Sequence, residues 1–194
     1  MSGSNLIRES LKSINYFITR TCNYKCGFCF HTAKNSFNLE LETAIKGMKI
    51  LEQAGMKKIN FAGGEPFILH DGHFLGMLAR YCKQDLGIES VSIISNGSRI
   101  TEEWMKEYGA DVDILGVSCD SFVEETNIKI GRLNESESKR GREMNHIEKM
   151  LKIREWCTKY RIAFKLNTVV NSYNWQEDMN ENLLRIDPVR WKVF

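Results

Sequence analysis

With 194 residues, 42% of them hydrophobic and 27% charged, the chain has the composition of a soluble globular protein and the length for one sizeable core. Its 27 basic and 25 acidic residues leave a net charge of +2, which argues against a broad nucleic-acid or membrane-binding face, so any anion site must be local. No apolar run approaches the ~20 residues of a bilayer span, and residues 1–13 lack the apolar centre of a signal peptide. The six cysteines, three of them committed to one short loop, read as reduced thiols in a cytoplasmic compartment rather than as three disulfides.

In chain order, residues 1–13 read as a flexible leader and 14–194 as one domain. Residues 14–19 are rich in aromatic and β-branched side chains and predict a first strand that runs directly into Cys22-Asn-Tyr-Lys-Cys26-Gly-Phe-Cys29. A helix is expected over 39–54, with Leu41, Ile45, Met48 and Leu51 or Ile50 on one face and Gly55 as its stop. Residues 57–62 form a second strand that delivers Gly63-Gly64-Glu65-Pro66 at its end. A helix over 71–86 follows, then a strand over 91–95 ending in Asn96-Gly97, a short helix over 102–108, and a strand over 114–119 ending at Asp120. After a helix over 123–130, the polar, aperiodic stretch 133–144 reads as a surface insertion. A helix over 145–160 with Ile147, Leu151, Ile153 or Arg154, and Trp156 inward, a strand over 162–170, a helix over 178–186 and a strand from 188 to 194 complete the series. Six alternating βα units predict a parallel sheet, curled as part of a barrel or wound as an open sheet. In either case the loops at the C-terminal strand ends form the active face, and the Cys loop, Gly63-Gly64-Glu65, Asn96-Gly97 and Asp120 all fall there.

The loop at 22–29 packs three soft thiolate donors into eight residues. A structural zinc site closes with four protein ligands. Here Cys82, Cys119 and Cys157 stand apart from one another in sequence, and His31 is the only nearby candidate for a fourth. Three cysteines on a cubane iron-sulfur cluster instead leave one iron open for an outside ligand. His70, His73 and His146, like His31, have no spacing that suggests a base or a metal ligand, and surface positions are expected for all four.

Strand periodicity gives a second, independent signal. Residues i and i+2 share a face, which pairs Lys58 with Asn60, Lys165 with Asn167, and Arg190 with Lys192 inside otherwise apolar strands. If these faces converge on one lumen, an anion such as a triphosphate would satisfy them; if they look outward, the lysine stems snorkel to solvent. Asn15 on the first strand is a further candidate for the same pocket.

The Cys loop, with Phe28 just before its third cysteine and Gly63-Gly-Glu-Pro66 downstream, resembles the radical SAM superfamily, and zinc or inert thiols are the competing reading. The segments Asn15-Tyr16, Thr19-Arg20, Lys58-Ile-Asn-Phe61, Val91 to Gly97, Ser118-Cys-Asp-Ser-Phe122 and Arg190-Trp-Lys-Val-Phe194 resemble the viperin family within it. That resemblance implies a partial (β/α)6 TIM-like barrel. Cys22, Cys26 and Cys29 would hold a [4Fe-4S] cluster, and Phe28, Gly63, Gly64, Glu65, Asn96, Ser118 and Arg132 would hold S-adenosylmethionine. Asn15, Lys58, Lys165, Asn167, Arg190 and Lys192 would bind a nucleoside triphosphate, CTP first among them. The implied reaction is removal of the ribose 4′ hydrogen by a 5′-deoxyadenosyl radical and loss of water, giving a 3′-deoxy-3′,4′-didehydro nucleotide in antiviral defence; an electron donor is the implied partner. The leading 13 residues depart from the amphipathic membrane helix of animal members, the C-terminal region of the family is not expected in this chain, and Phe17 and Ala62 stand where the family pattern implies His and Ser. Two alternatives remain: a radical SAM enzyme acting on a peptide or an RNA, and an inactive metal-binding fragment.

Overall fold

The structure is a computed structural model that describes residues 11–30, 37–132 and 146–194. Residues 1–10 of the expected leader at 1–13, His31 and the polar insertion at 133–144 lie outside the described residues, while Ser13 at the leader's end begins the first strand.

Six strands, β1 (Ser13–Thr19), β2 (Lys58–Gly63), β3 (Ser90–Ser95), β4 (Ile114–Ser118), β5 (Ala163–Thr168) and β6 (Arg190–Val193), form one sheet in the order of the chain. Every neighbouring pair is parallel. A doubly wound open sheet requires a reversal of strand order. The unbroken order from β1 to β6 has no such reversal and is that of a partial (β/α)6 barrel.

Strand alternation sorts the residues of each strand to two sides. Ile59 and Phe61, Val91 and Ile93, Leu115 and Val117, and Phe164 and Leu166 are all buried in the core, packed under the helices. The alternate positions, Asn15, Asn60, Ser92, Lys165 and Asn167 among them, face a cleft on the other side. The helices are α1 (Leu41–Gln53), α2 (His73–Arg80), α3 (Glu102–Tyr108), α4 (Glu124–Ile130), α5 (His146–Lys159) and α6 (Asn180–Ile186). In α1, Met48 is buried, Leu41, Ile45 and Leu51 pack against the core, and Ile50 is exposed, so Leu51 rather than Ile50 completes the apolar face.

Three differences from the sequence expectations have physical causes. The single helix expected over 71–86 is three pieces: a 3-10 segment (Pro66–Gly72), α2, and a π turn (Tyr81–Asp85). The break comes from positive φ at His70, Asp71 and Gly72, which hydrophobic periodicity cannot register. Here a glycine is required: a Cβ on Gly72 would lie 2.9 Å from Phe67 and Trp104 atoms, and Trp104 Nε1 donates to the Gly72 carbonyl at 2.9 Å. The π turn is held at its side by Arg80–Asp111 and Lys83–Asp113 ion pairs. In α5 the buried stripe is His146, Met150, Ile153, Trp156 and Cys157, with Ile147 and Leu151 at its margin. His146 is therefore not a surface residue; its Nε2 lies 3.3 Å from the buried Cys119 Sγ, and together they fasten the start of α5 to the end of β4.

Phe164 is fully buried and Phe17 is 50% exposed. Phe164→Ala should therefore lower stability by about 3–5 kcal/mol, while Phe17→Ala costs well under half of that. Urea midpoints of the two variants, at unchanged slope, measure this difference.

Candidate active site

The Cys loop is placed by main-chain contacts on both flanks. On one, Gly64 N–H donates to the Thr19 carbonyl at 2.7 Å and Glu65 N–H to the Thr21 carbonyl at 2.8 Å. These contacts bring two backbones so close that Cβ atoms cannot fit: one on Gly63 (φ +127) would lie 2.3 Å from Thr19 O, and one on Gly64 2.0 Å from Thr21 O. On the other flank, Lys25 N–H donates to Gly131 O and Gly27 N–H to Ile130 O, both at 2.9 Å, at the end of α4. Between them, Asn96 Nδ2 donates to Asn23 Oδ1 at 2.9 Å, and Asn23 Nδ2 to Ser98 Oγ at 3.0 Å. The loop is thus strapped to the ends of β2, β3 and α4 before any ligand enters.

Glu65 ties these straps together. Its carboxylate is fully buried and accepts from Ser95 Oγ at 2.8 Å, Asn96 N–H at 2.7 Å and Phe67 N–H at 3.2 Å. Burial pushes the carboxyl up to about 7, against the pull of those donors and of Arg132. The Glu65 side chain does not line the cleft: a sequence reading that set it against the cofactor is met by a side chain turned inward to lock the β2 and β3 ends.

One cleft of about 690 Å³ gathers most of the other candidates. Cys22, Cys26 and Cys29 line it, as do Phe28, Gly63, Gly64, Asn96, Ser118 and Arg132. So do Asn15, Lys165, Asn167, Arg190 and Lys192. Lys58 does not: it is exposed at the start of β2, paired across to Ser13 and Ser90, two residues short of the lining Asn60. The reason is that a shared face does not fix height along the strand.

Arg132 is 5% exposed and pairs with the wholly buried Asp120 at 2.5 Å; its guanidinium also stands 5.9 Å from the Phe28 ring. Asp120 in turn accepts Val169 N–H at 2.9 Å, so α4, the Cys loop and β5 meet at one buried ion pair. The sequence places Asp120 on the active face at a strand end but does not give its partner, which is Arg132. Also missed was the ladder in which Asn60 Nδ2 donates to Asn15 Oδ1 at 3.0 Å and Ser92 Oγ to Asn60 Oδ1 at 3.1 Å.

At the β5–β6 side, Lys165 lies opposite Arg190 and Asn167 opposite Lys192. Burial, then the charges of Arg190 and Lys192, hold the Lys165 amine below its ordinary value. Among the described residues, no carboxylate lies within ion-pair distance of these three cations. Three cations on one wall of the cleft without an acid beside them is an arrangement that a polyanion would relieve.

The donor chemistry of the loop suits an iron-sulfur cluster. None of the six cysteines is in a disulfide, and Cys22 Sγ accepts from Tyr24 N–H at 3.4 Å. No three His, Cys, Asp or Glu side chains among the described residues gather as they would around a single metal ion, and a cubane, which offers a separate iron to each thiolate, does not require such convergence.

The Radical SAM superfamily profile matches residues 16–179. The chain belongs to the radical SAM superfamily. Among curated relatives, the S-adenosylmethionine-dependent nucleotide dehydratase RSAD2 of Danio rerio is 56% identical over 192 residues, covering 99% of this chain and 52% of that protein. The same-named protein of Oncorhynchus mykiss is 56% identical, with 94% and 50% covered. An S-adenosylmethionine-dependent nucleotide dehydratase of a Thermoplasmatales archaeon is 33% identical over 186 residues, with 96% and 62% covered. The chain spans about half the length of the fish relatives. Among solved structures, Streptococcus suis SuiB superposes with a TM-score of 0.70 at 16% identity, over 94% of this chain and 39% of that one. TsrM from Kitasatospora setae, with cobalamin and a [4Fe-4S] cluster bound, gives 0.71 at 15% identity over 97% and 38%. Both share the fold with this radical SAM chain.

Two predictions test the strapping. Gly64→Ala, which sets a methyl on the Thr21 carbonyl, should lower cluster content after reconstitution as well as melting temperature, read by iron and sulfide analysis. Glu65→Gln places an amide N–H against the Asn96 N–H and should destabilise by about 1–3 kcal/mol. Because the folded carboxyl is raised from 4.5 to about 7, the stabilisation of its neutral form is complete below about 4.5 and lost as pH rises to about 7. The wild-type denaturation midpoint should carry that downward component across the window, and the glutamine variant should lack it.

Proposed function

We propose that this chain is the radical core of a nucleotide dehydratase that binds a nucleoside triphosphate, CTP first, and removes water from its ribose to give the 3′-deoxy-3′,4′-didehydro nucleotide, an antiviral chain terminator. The observation that carries the reading is a single cleft lined both by three thiol donors and by three cations that lack acidic partners among the described residues. The nucleotide dehydratase activity named for the relatives, with the 56% identity of the fish proteins, points the same way.

Cys22, Cys26 and Cys29 would hold a [4Fe-4S] cluster. The main chain of Gly63 and Gly64, with Phe28, Asn96, Ser118 and Arg132, would hold S-adenosylmethionine beside it. When bound, the pair supplies one-electron cleavage of the sulfonium C–S bond and hence a carbon radical able to take a ribose hydrogen. The chain supplies placement. Lys165, Arg190 and Lys192 fix the phosphates with Asn167, and Asn15 faces the nucleotide from β1. This clamp acts remotely from the reacting carbon and orients it. An electron donor is the expected partner. Among the described residues no helix is long and apolar enough to cross a membrane, and we place the enzyme in a reducing cytoplasmic compartment.

Anaerobic reconstitution, followed by dithionite, S-adenosylmethionine and CTP, UTP, GTP or ATP in separate reactions, tests the reading. One nucleotide should stimulate 5′-deoxyadenosine formation and yield a product lighter by one water, and Lys165→Ala should raise the KM for that nucleotide about ten- to hundredfold. Deoxyadenosine formation indifferent to all four, by protein that holds its cluster, would contradict it.

A further inference from the structure

The cleft-facing residues fall into tiers across the sheet, and the middle tier changes character halfway. The lower tier is the polar ladder Asn15, Asn60 and Ser92, which are direct register partners. Two residues further along each strand, Phe17 lies opposite Ala62, Ile94 opposite Gly116, Gly116 opposite Lys165, and Lys165 opposite Arg190. Phe17, Ala62, Ile94 and Gly116 bring no polar side-chain atom; Lys165 and Arg190 bring two cations. All but Gly116 line the same cleft. Gly116 leaves room on β4 for the side chains of Ile94 and Asn167, which a Cβ there would meet at 2.6 and 3.2 Å.

The apolar half is open to the cleft. Phe17 is 50% exposed, and Phe30, which also lines the cleft, is 77% exposed. Their ring centroids are 6.4 Å apart at a tilt of 57°, so Phe30 carries the aromatic surface from β1 up to the Cys loop. An aromatic wall over a polar ladder suits a flat ring system whose faces are apolar and whose edges hydrogen-bond. The cationic half suits a polyanion. Phe17 and Lys165 are four strand spacings apart, roughly 19 Å along the sheet and less across its curve.

We propose that Phe17, Ala62 and Ile94 form the wall against which the sugar and base of the nucleotide pack, so that the ligand lies across the sheet with its nucleoside toward β1 and its phosphates toward β5 and β6. This rests on the nucleotide reading above and gives it a direction. It also makes Phe17 and Ala62, rather than the cations, the positions that distinguish a nucleotide from any other polyphosphate. The cations cannot make that distinction, because they meet the phosphates alone.

The test separates the two halves by ligand. Anaerobic calorimetry on cluster-loaded protein would compare CTP, UTP, GTP and ATP with inorganic tripolyphosphate, in wild type, Phe17→Ala, Ala62→Leu and Lys165→Ala. The best nucleotide should bind more tightly than tripolyphosphate to wild type. Phe17→Ala should weaken that nucleotide on the order of five- to twentyfold, the worth of a half-buried ring, and leave tripolyphosphate unchanged. Ala62→Leu, which fills the wall without removing an aromatic ring, should do the same, and Lys165→Ala should weaken both ligands. If Phe17→Ala and Ala62→Leu leave the nucleotide-to-tripolyphosphate ratio unchanged while Lys165→Ala weakens both, the wall is wrong and the phosphate site stands. If Phe17→Ala weakens S-adenosylmethionine and not the nucleotide, the wall belongs to the cofactor and the proposal falls. If folded wild type binds neither nucleotide nor tripolyphosphate, the nucleotide reading itself falls with it.

Discussion

The close approach of the Gly63-Gly64-Glu65 backbone to the Thr19 and Thr21 carbonyls is the contact on which the rest of the site depends. A loop carrying three thiols has little secondary structure of its own, and without straps its donors would have to be gathered each time a cluster formed. Two missing Cβ atoms let β2 hand its end directly to the start of that loop, and Gly131, whose Cβ would come within 2.4 Å of Lys25 O, does the same from α4. The glycines here serve the meeting of one backbone with another as much as the admission of a ligand. The main chain of the loop is consequently held in place, which lessens the ordering that ligand binding would otherwise cost.

Buried charge is the second constraint. Glu65 and the Asp120–Arg132 pair lie within the loop's surroundings, fully or nearly fully out of water. Such groups are costly unless every lone pair and N–H is met. Here they are met by the very segments that must be held together: the β3 end at Glu65, and α4 with β5 at Asp120. The hydrogen-bonding demand of a buried carboxylate thus becomes a positional device. Across the cleft the logic is reversed, because Lys165, Arg190 and Lys192 are left facing one another without an acid in reach among the described residues. Their mutual repulsion is tolerable at a wet, open site and is relieved by a polyanion.

The order of the elements was legible in the sequence because β/α alternation writes two different periods into one chain. Strands such as Val91–Ser95 and Phe164–Asn167 show period 2 with a core face that is almost wholly aliphatic or aromatic, and the observed boundaries follow. The Cys spacing made the thiol loop legible, and the i, i+2 cations marked the β5–β6 end of the cleft. What escaped depended on height, direction or φ. Lys58 shares a face with Asn60 but not its height. Glu65 sits in the right loop but points inward. His146 lacks any motif, and its burial follows from the rotation of α5, which a helix with apolar residues on several faces does not specify. The kink at His70–Gly72 lies in backbone angles that side-chain hydrophobicity does not report.

The central claim is that Cys22, Cys26 and Cys29, on a loop whose main chain is already held, would be the three thiolate ligands of a cubane with one open iron. Mössbauer and EPR spectroscopy of the anaerobically reconstituted chain test it directly. The account predicts about four irons and four sulfides per chain, a reduced signal that shifts when S-adenosylmethionine is added, and loss of the cluster in a Cys26→Ala variant that still folds. Bound zinc in place of iron and sulfide, or a cluster whose signal is indifferent to S-adenosylmethionine, would contradict it.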